Sequence, residues 1–144
     1  MTNTHQIFNL IAQIRRSHKN TTAKQSELLD QVKLNLLEWA ILRSLHEKPV
    51  QSQAEVARSI ALAPSNVRTP IEMLENRGLV SRQKDDRDRR INNTLLTKEG
   101  SDLVRNLLPG FESDHKKLLQ GISAPEQKEL ERLLDIIWGN LKKK

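Results

Sequence analysis

The stretch PSNVRTPIEMLENRGLVSRQKDDRDRRINNTLLTKEG, residues 64–100, carries its signals in a fixed order. Val67, Ile71 and Leu74 recur at helical spacing, and Pro64 suits the first helical position, where its missing N–H is no loss. Gly78 follows where a helix ends on a left-handed residue. The period then changes to two over Leu79–Lys84 and Ile91–Leu96, two arms that can pair as a hairpin. Between them lies Asp85-Asp86-Arg87-Asp88-Arg89-Arg90, and Thr97 after them can cap a new helix. Helix, glycine, strand, arginine-rich turn, strand is the order of a winged helix-turn-helix.

The residues before Pro64 complete that unit. Asn35 with Glu38 forms a capping box, and Leu34 with Trp39 a hydrophobic staple, so a helix starts there. Its apolar stripe runs through Leu45 and Pro49 lies beyond its end; Trp39 reads first as packing. Ser52 with Glu55 opens a second, short helix, and Ala61-Leu62-Ala63 turns the chain into the helix at Pro64. Val67, Ile71 and Leu74 face inward, which leaves Ser65, Asn66, Arg68, Thr69, Glu72, Met73 and Asn76 for solvent or a partner. Pro70 inside this helix deletes the hydrogen bond to the Asn66 carbonyl and predicts a kink.

The flanks are helical. Ile7, Phe8, Leu10, Ile11 and Ile14 give an amphipathic helix from His5 to about His18, followed by a polar linker over 19–24 and a further turn near 26–32. Leu103, Val104, Leu107, Leu108 and Phe111 form one face after the wing, with Pro109-Gly110 expected to bend or break that helix. Ser123 with Glu126 makes a third capping box, and the last helix carries Leu130, Leu133, Leu134, Ile136, Ile137, Trp138 and Leu141. Apolar faces at both ends of the chain predict a closed two-fold homodimer. The fold class is therefore mainly α with a small β-hairpin wing. One intertwined domain is expected, with dimerisation helix and linker over 1–33, the winged helix-turn-helix over 34–100 and dimerisation helices over 101–144.

Composition narrows the chemistry. A chain of 144 residues with formal charge +6 and no cysteine excludes disulfides, thiol redox sensing and Cys-ligated zinc. Two Trp, two Phe and no Tyr argue against a surface that stacks on unpaired bases. The apolar run Ile7–Ile14 is broken by Asn9 and Gln13, too short for a signal peptide or membrane span, and points to a cytoplasmic protein. No metal-ligand spacing, phosphate loop or nucleophile motif is present, so an enzyme is not expected, and no cofactor is implied.

Position gives the charged turn its meaning. Arginines on a thin projection beside a polar helix suit double-stranded DNA: Arg87, Arg89 and Arg90 for a minor groove, with the interleaved aspartates Asp85, Asp86 and Asp88 to orient them. Ser65, Asn66, Arg68 and Thr69 are residue types that bond base edges and phosphates in the major groove, and Ser52 at the start of the preceding helix joins the candidate DNA-binding set.

The helices Asn35–His46 and Ser52–Ile60, the run LENRGLV at 74–80, the wing at 85–90 and LTKEG at 96–100 resemble the multiple-antibiotic-resistance regulator (MarR) family. That resemblance implies a homodimeric transcription regulator, in which terminal helices form the interface and each winged helix reads half of a pseudopalindrome. It places Ser65, Asn66, Arg68 and Thr69 in the major groove and Arg90, oriented by Asp88, in the minor groove. It also implies repression relieved by a small aromatic or anionic effector, for which Arg15, Arg16, His18 and Trp39 are candidate contacts. Pro70 and the order Arg68-Thr69 depart from the family pattern, and the missing cysteines exclude its peroxide-sensing branch. A sequence-tolerant architectural DNA binder, a winged helix used for protein contact and a metal sensor using His18 or His115 remain alternatives.

Overall fold

The computed structural model describes residues 3–143; the side chains of residues 3 and 15–24 lie outside that description. Nine elements follow in order: α1 (Asn3–Gln31), α2 (Leu36–Glu47), β1 (Gln51–Ser52), α3 (Gln53–Ser59), α4 (Pro64–Asn76), β2 (Val80–Lys84), β3 (Asn92–Leu96), α5 (Lys98–Leu118) and α6 (Ala124–Lys142). The fold is mainly helical with a small antiparallel sheet, in the order β1-β3-β2. The chain divides into two compact units, one ending at Gly110 and the other starting at Phe111.

The capping chemistry read from the sequence sets the helix starts. Asn35 accepts the Glu38 N–H at 2.8 Å, and Glu38 Oε2 accepts the Asn35 N–H at 3.1 Å. The same reciprocal pair forms between Ser52 and Glu55 and between Ser123 and Glu126. Each box satisfies backbone donors that a helix start would otherwise leave unpaired.

The first helix corrects the sequence reading. It is one α-helix of 29 residues, with no interruption near His18 and no linker over 19–24. That polar run contains neither Pro nor Gly, and extending a helix costs far less than starting one. α1 ends on Lys33, whose φ of 55° takes the left-handed cap position. The Leu34 N–H bonds the Leu29 carbonyl at 2.9 Å and the Lys33 N–H bonds that of Asp30 at 3.1 Å. Arg77, at the end of α4, completes this terminus: Nη1 donates to the Lys33 carbonyl at 2.6 Å and Nη2 to that of Val32 at 2.8 Å.

The core of the first unit lies under the helix-turn-helix. Ile41, Leu42 and Leu45 of α2, Val56 and Ala57 of α3, and Val67, Ile71 and Leu74 of α4 are all buried, with Trp39 beside them. A buried polar cluster closes the C-terminus of α2. The Gln51 amide donates to the carbonyls of Ser44 and Lys48, each at 2.8 Å, while the Ser44 and Ser59 hydroxyls lie 2.6 Å apart. Gln51 also begins β1, which pairs with β3 through Gln51↔Thr94 and Ser52↔Asn93. The sequence reading had only a two-stranded hairpin; a two-residue strand leaves no periodicity to detect.

α5 is helical across Pro109-Gly110, where a bend or break was expected. Pro109 leaves the Arg105 carbonyl without its helical donor, and both residues are exposed, so water can take that place. A side chain at Gly110 would come within 3.1 Å of Leu28 Cδ1, so glycine keeps α1 and α5 close there. In the second unit α6 has no buried residue along its 19 positions.

Candidate nucleic-acid interface

The turn between α3 and α4 fixes the angle at which α4 is presented. Ala61 adopts φ 57°, and the Leu62 N–H bonds the Ala57 carbonyl at 2.9 Å, a left-handed helix ending built on alanine instead of glycine. Gln53 Nε2 then donates to the Pro64 carbonyl at 3.1 Å, tying the start of α3 to the first turn of α4.

α4 buries Val67, Ile71 and Leu74 and exposes Ser65, Asn66, Arg68, Thr69, Met73 and Asn76, as its spacing predicts. Arg68 Nε and Glu72 Oε1 form an ion pair of 3.2 Å one turn apart. The helix continues through Pro70, whose missing N–H leaves the carbonyl of exposed Asn66 open to water or a ligand donor.

Behind α4 a junction of close contacts joins helix, wing and α5. Gly78 has φ 71°, and the Leu79 N–H bonds the Leu74 carbonyl at 3.0 Å. Thr97 Oγ1 donates to the Gly78 carbonyl at 2.6 Å and accepts the Gly100 N–H at 3.1 Å, which caps α5 as the sequence predicts. A Cβ on Gly100 would overlap the Leu79 carbonyl oxygen, so only glycine fits the first turn of α5.

The wing consists of β2 and β3, paired from Val80↔Leu96 to Lys84↔Asn92. Arg82 does not belong to the exposed cationic set. Its Nε and Nη2 grip the Glu75 carboxylate at 3.1 and 2.8 Å, which staples the wing to α4. This bond holds the Glu75 carboxyl below its ordinary range and pushes the Arg82 guanidinium above its own.

The wing turn is organised by two aspartates. Asp85 accepts the Asn93 amide at 2.9 Å and the N–H groups of Arg87 and Asp88 at 2.8 and 3.0 Å. The Asn93 bond first, then the backbone donors, holds its carboxyl below the usual carboxylate range. Asp88 takes a two-pronged bond from Arg90, Nε to Oδ1 and Nη2 to Oδ2, each at 3.0 Å. That pairing lowers the Asp88 carboxyl and raises the Arg90 guanidinium. Arg90 nonetheless remains 90% exposed, a cation aimed by its partner and offered to solvent. Arg87 and Arg89 are exposed beside it.

The remaining candidates fall elsewhere. Ser52 is half-buried and its Oγ accepts the Glu55 N–H at 3.2 Å, leaving the hydroxyl proton for another acceptor. Trp39 is buried within the first unit. The side chains of Arg15, Arg16 and His18 lie outside the described residues. Among the described residues no group of three His, Cys, Asp or Glu could hold a metal ion, and no helix is long and apolar enough to cross a membrane. Sequence reasoning missed the Gln51 cluster, the Arg77 bonds and the Arg82–Glu75 pair; the Arg77 partners lie far away in sequence, and the other two cross between elements, where no helical or strand spacing reveals them.

Comparison with solved structures agrees with this architecture. BpsR of Bordetella bronchiseptica, whose DNA binding is regulated by 6-hydroxynicotinic acid, superposes with a TM-score of 0.71 at 25% identity, over 88% of this chain and 90% of that one. A MarR-family transcriptional regulator from Silicibacter pomeroyi gives 0.78 at 21% identity, over 91% and 88%. The transcriptional regulator BldR from Sulfolobus solfataricus gives 0.76 at 22% identity, over 95% and 98%. The MarR family model matches residues 34–91, the winged helix-turn-helix, so over that stretch the chain is similar to the MarR family.

Proposed function

We propose that this chain is a sequence-specific regulator that binds a pseudopalindromic double-stranded operator as a homodimer, acts as a repressor and releases DNA on binding a small aromatic or anionic effector. The observation that carries the DNA reading is Arg90, aimed by the fork to Asp88 while staying exposed at the wing tip. A guanidinium held this way is suited to the negative potential of a narrow minor groove. Ser65, Asn66, Arg68 and Thr69 supply the major-groove contacts, with Ser52, Arg87 and Arg89 at its margins. The homodimer is supported by exposed apolar side chains on α1 and α6. Effector response is supported by BpsR, which is regulated by an aromatic acid. Arg15, Arg16 and His18 are the groups proposed to anchor that effector, and buried Trp39 would enter only as a wall of the pocket.

The test is a fluorescence-anisotropy titration on the gene's own upstream duplex and on a scrambled duplex, at two salt concentrations. A preference for the native duplex of about 4 kcal/mol or more, reduced by Arg90→Ala, is the expected result. Equal affinity for both duplexes, with a steep salt slope, would mean an architectural binder. Adding salicylate or 6-hydroxynicotinate to the complex should then lower affinity, and calorimetry on Arg16→Ala assigns or removes that residue.

A further inference from the structure

We propose that Arg68 is the guanine-reading residue of α4, and that Glu72 is the positioning residue that aims it. This deepens the DNA-binding reading above and rests on it. Two arginines pair with glutamates of α4, and their bonding separates their roles. Arg82 commits both Nε and Nη2 to Glu75, and its side chain is 29% exposed, so its donors are used inside the fold. Arg68 commits only Nε, to Glu72 at 3.2 Å, and its side chain is 71% exposed. Among the described residues no other hydrogen bond to it is seen, so the donors of Nη1 and Nη2 remain unused on an exposed side chain.

That free edge matches one base. Guanine presents O6 and N7 side by side in the major groove, the bidentate site for a guanidinium, whereas adenine offers one acceptor beside an amino donor and thymine a single acceptor. A phosphate also accepts two N–H groups, but Glu72 argues against that use. Its carboxylate stands on the same face as Arg68, where it would repel a phosphate approaching the guanidinium. Against a base edge the carboxylate does no such harm; it fixes the Arg68 side chain and can accept from the cytosine amino group of a neighbouring pair. Two side chains one turn apart thus point to a guanine in each half-site.

The experiment is a selection of the intact wild-type protein on a random duplex pool, followed by titrations on the selected duplex with each base pair replaced in turn. We expect a symmetric G·C pair whose replacement costs wild type about tenfold or more. Arg68→Ala should abolish that discrimination while keeping it at every other position. Glu72→Gln should weaken it at the same position and raise affinity for scrambled DNA, with the melting temperature unchanged. If Arg68→Ala instead lowers affinity on all duplexes alike and reduces the salt slope by about one, Arg68 is a phosphate contact and the proposal falls. Loss of discrimination at no G·C pair overturns it equally. A wild-type protein that enriches no sequence fails the DNA-specificity reading itself, which the first round alone reveals.

Discussion

At the scale of single residues, two positions carry local costs the rest of the fold compensates. Ala61 holds φ 57° between α3 and α4, a conformation that costs an L-residue with a Cβ roughly 1–2 kcal/mol. Glycine would relieve that strain but adds freedom to the unfolded chain, so Ala61→Gly should stabilise by a net of about 0.5–1 kcal/mol. A thermal melt reads this as a rise of a few degrees; an unchanged or lower midpoint would mean the alanine methyl contributes packing that outweighs the strain. Gln51 is the opposite case, a buried amide whose two donors satisfy the Ser44 and Lys48 carbonyls. Gln51→Ala strips both carbonyls of that partner, and should cost about 2 kcal/mol in denaturant unfolding. A loss below half of that would show water replacing the amide.

At the scale of elements, what the sequence disclosed is what short-range chemistry determines. Asn35 with Glu38, Ser52 with Glu55, Ser123 with Glu126, and Gly78 are each read within a few residues, and the structure has the three boxes and the left-handed glycine where they were placed. The uninterrupted α1 was not legible, because a solvated polar stretch carries no apolar period even when it is helical. The roles of Arg77 and Arg82 were equally hidden. Both look like free cations in sequence, yet Arg77 caps a helix ending more than 40 residues earlier and Arg82 reaches from the wing to grip Glu75 on α4. The motif LTKEG, by contrast, was recognisable without its reason. Thr97 bonds Gly78 and Gly100 together, and Gly100 lets α5 pass against Leu79.

The wing turn also supplies a pH prediction at this scale. Asp85 and Asp88 have carboxyls lowered in the folded protein by Asn93 and by Arg90 respectively. A depressed folded-state value means the ordering they give is fully present above the unfolded value of about 3.9 and is lost as pH falls through the lower folded one. The Arg90 Nε–H and Asn93 amide resonances should therefore keep their bonded shifts down to about pH 4 and collapse only below it. A midpoint at or above that value would mean the aspartates are not engaged in solution. Asp88→Asn should free Arg90 at every pH, because a neutral amide gives the guanidinium no anionic fork.

At the scale of the whole molecule, the distribution of apolar surface argues for a second copy. Each unit, taken alone, leaves such a face open: Ile7, Phe8, Leu10, Ile11 and Ile14 along α1, and Leu133, Leu134, Ile136, Ile137 and Leu141 along α6. Soluble monomers rarely leave large contiguous apolar faces in water, so a second copy covering these faces is the proposed arrangement, one that would leave the proposed DNA-binding residues free. If the dimer forms, stability is linked to protein concentration, so the melting midpoint should rise with concentration and sedimentation should show twice the chain mass. Leu134→Glu and Ile137→Glu together test this cleanly. Both side chains are already 40–51% exposed in the single chain, so a monomer would tolerate the charges with little loss. A dimer would not, because each glutamate would be buried without a partner against its own symmetry mate. The double variant should then sediment as a monomer, keep its helical content, and bind the full operator no better than a half-site. A wild-type midpoint independent of concentration, with a sedimenting mass of one chain, would refute the dimer and leave each winged helix to bind DNA alone.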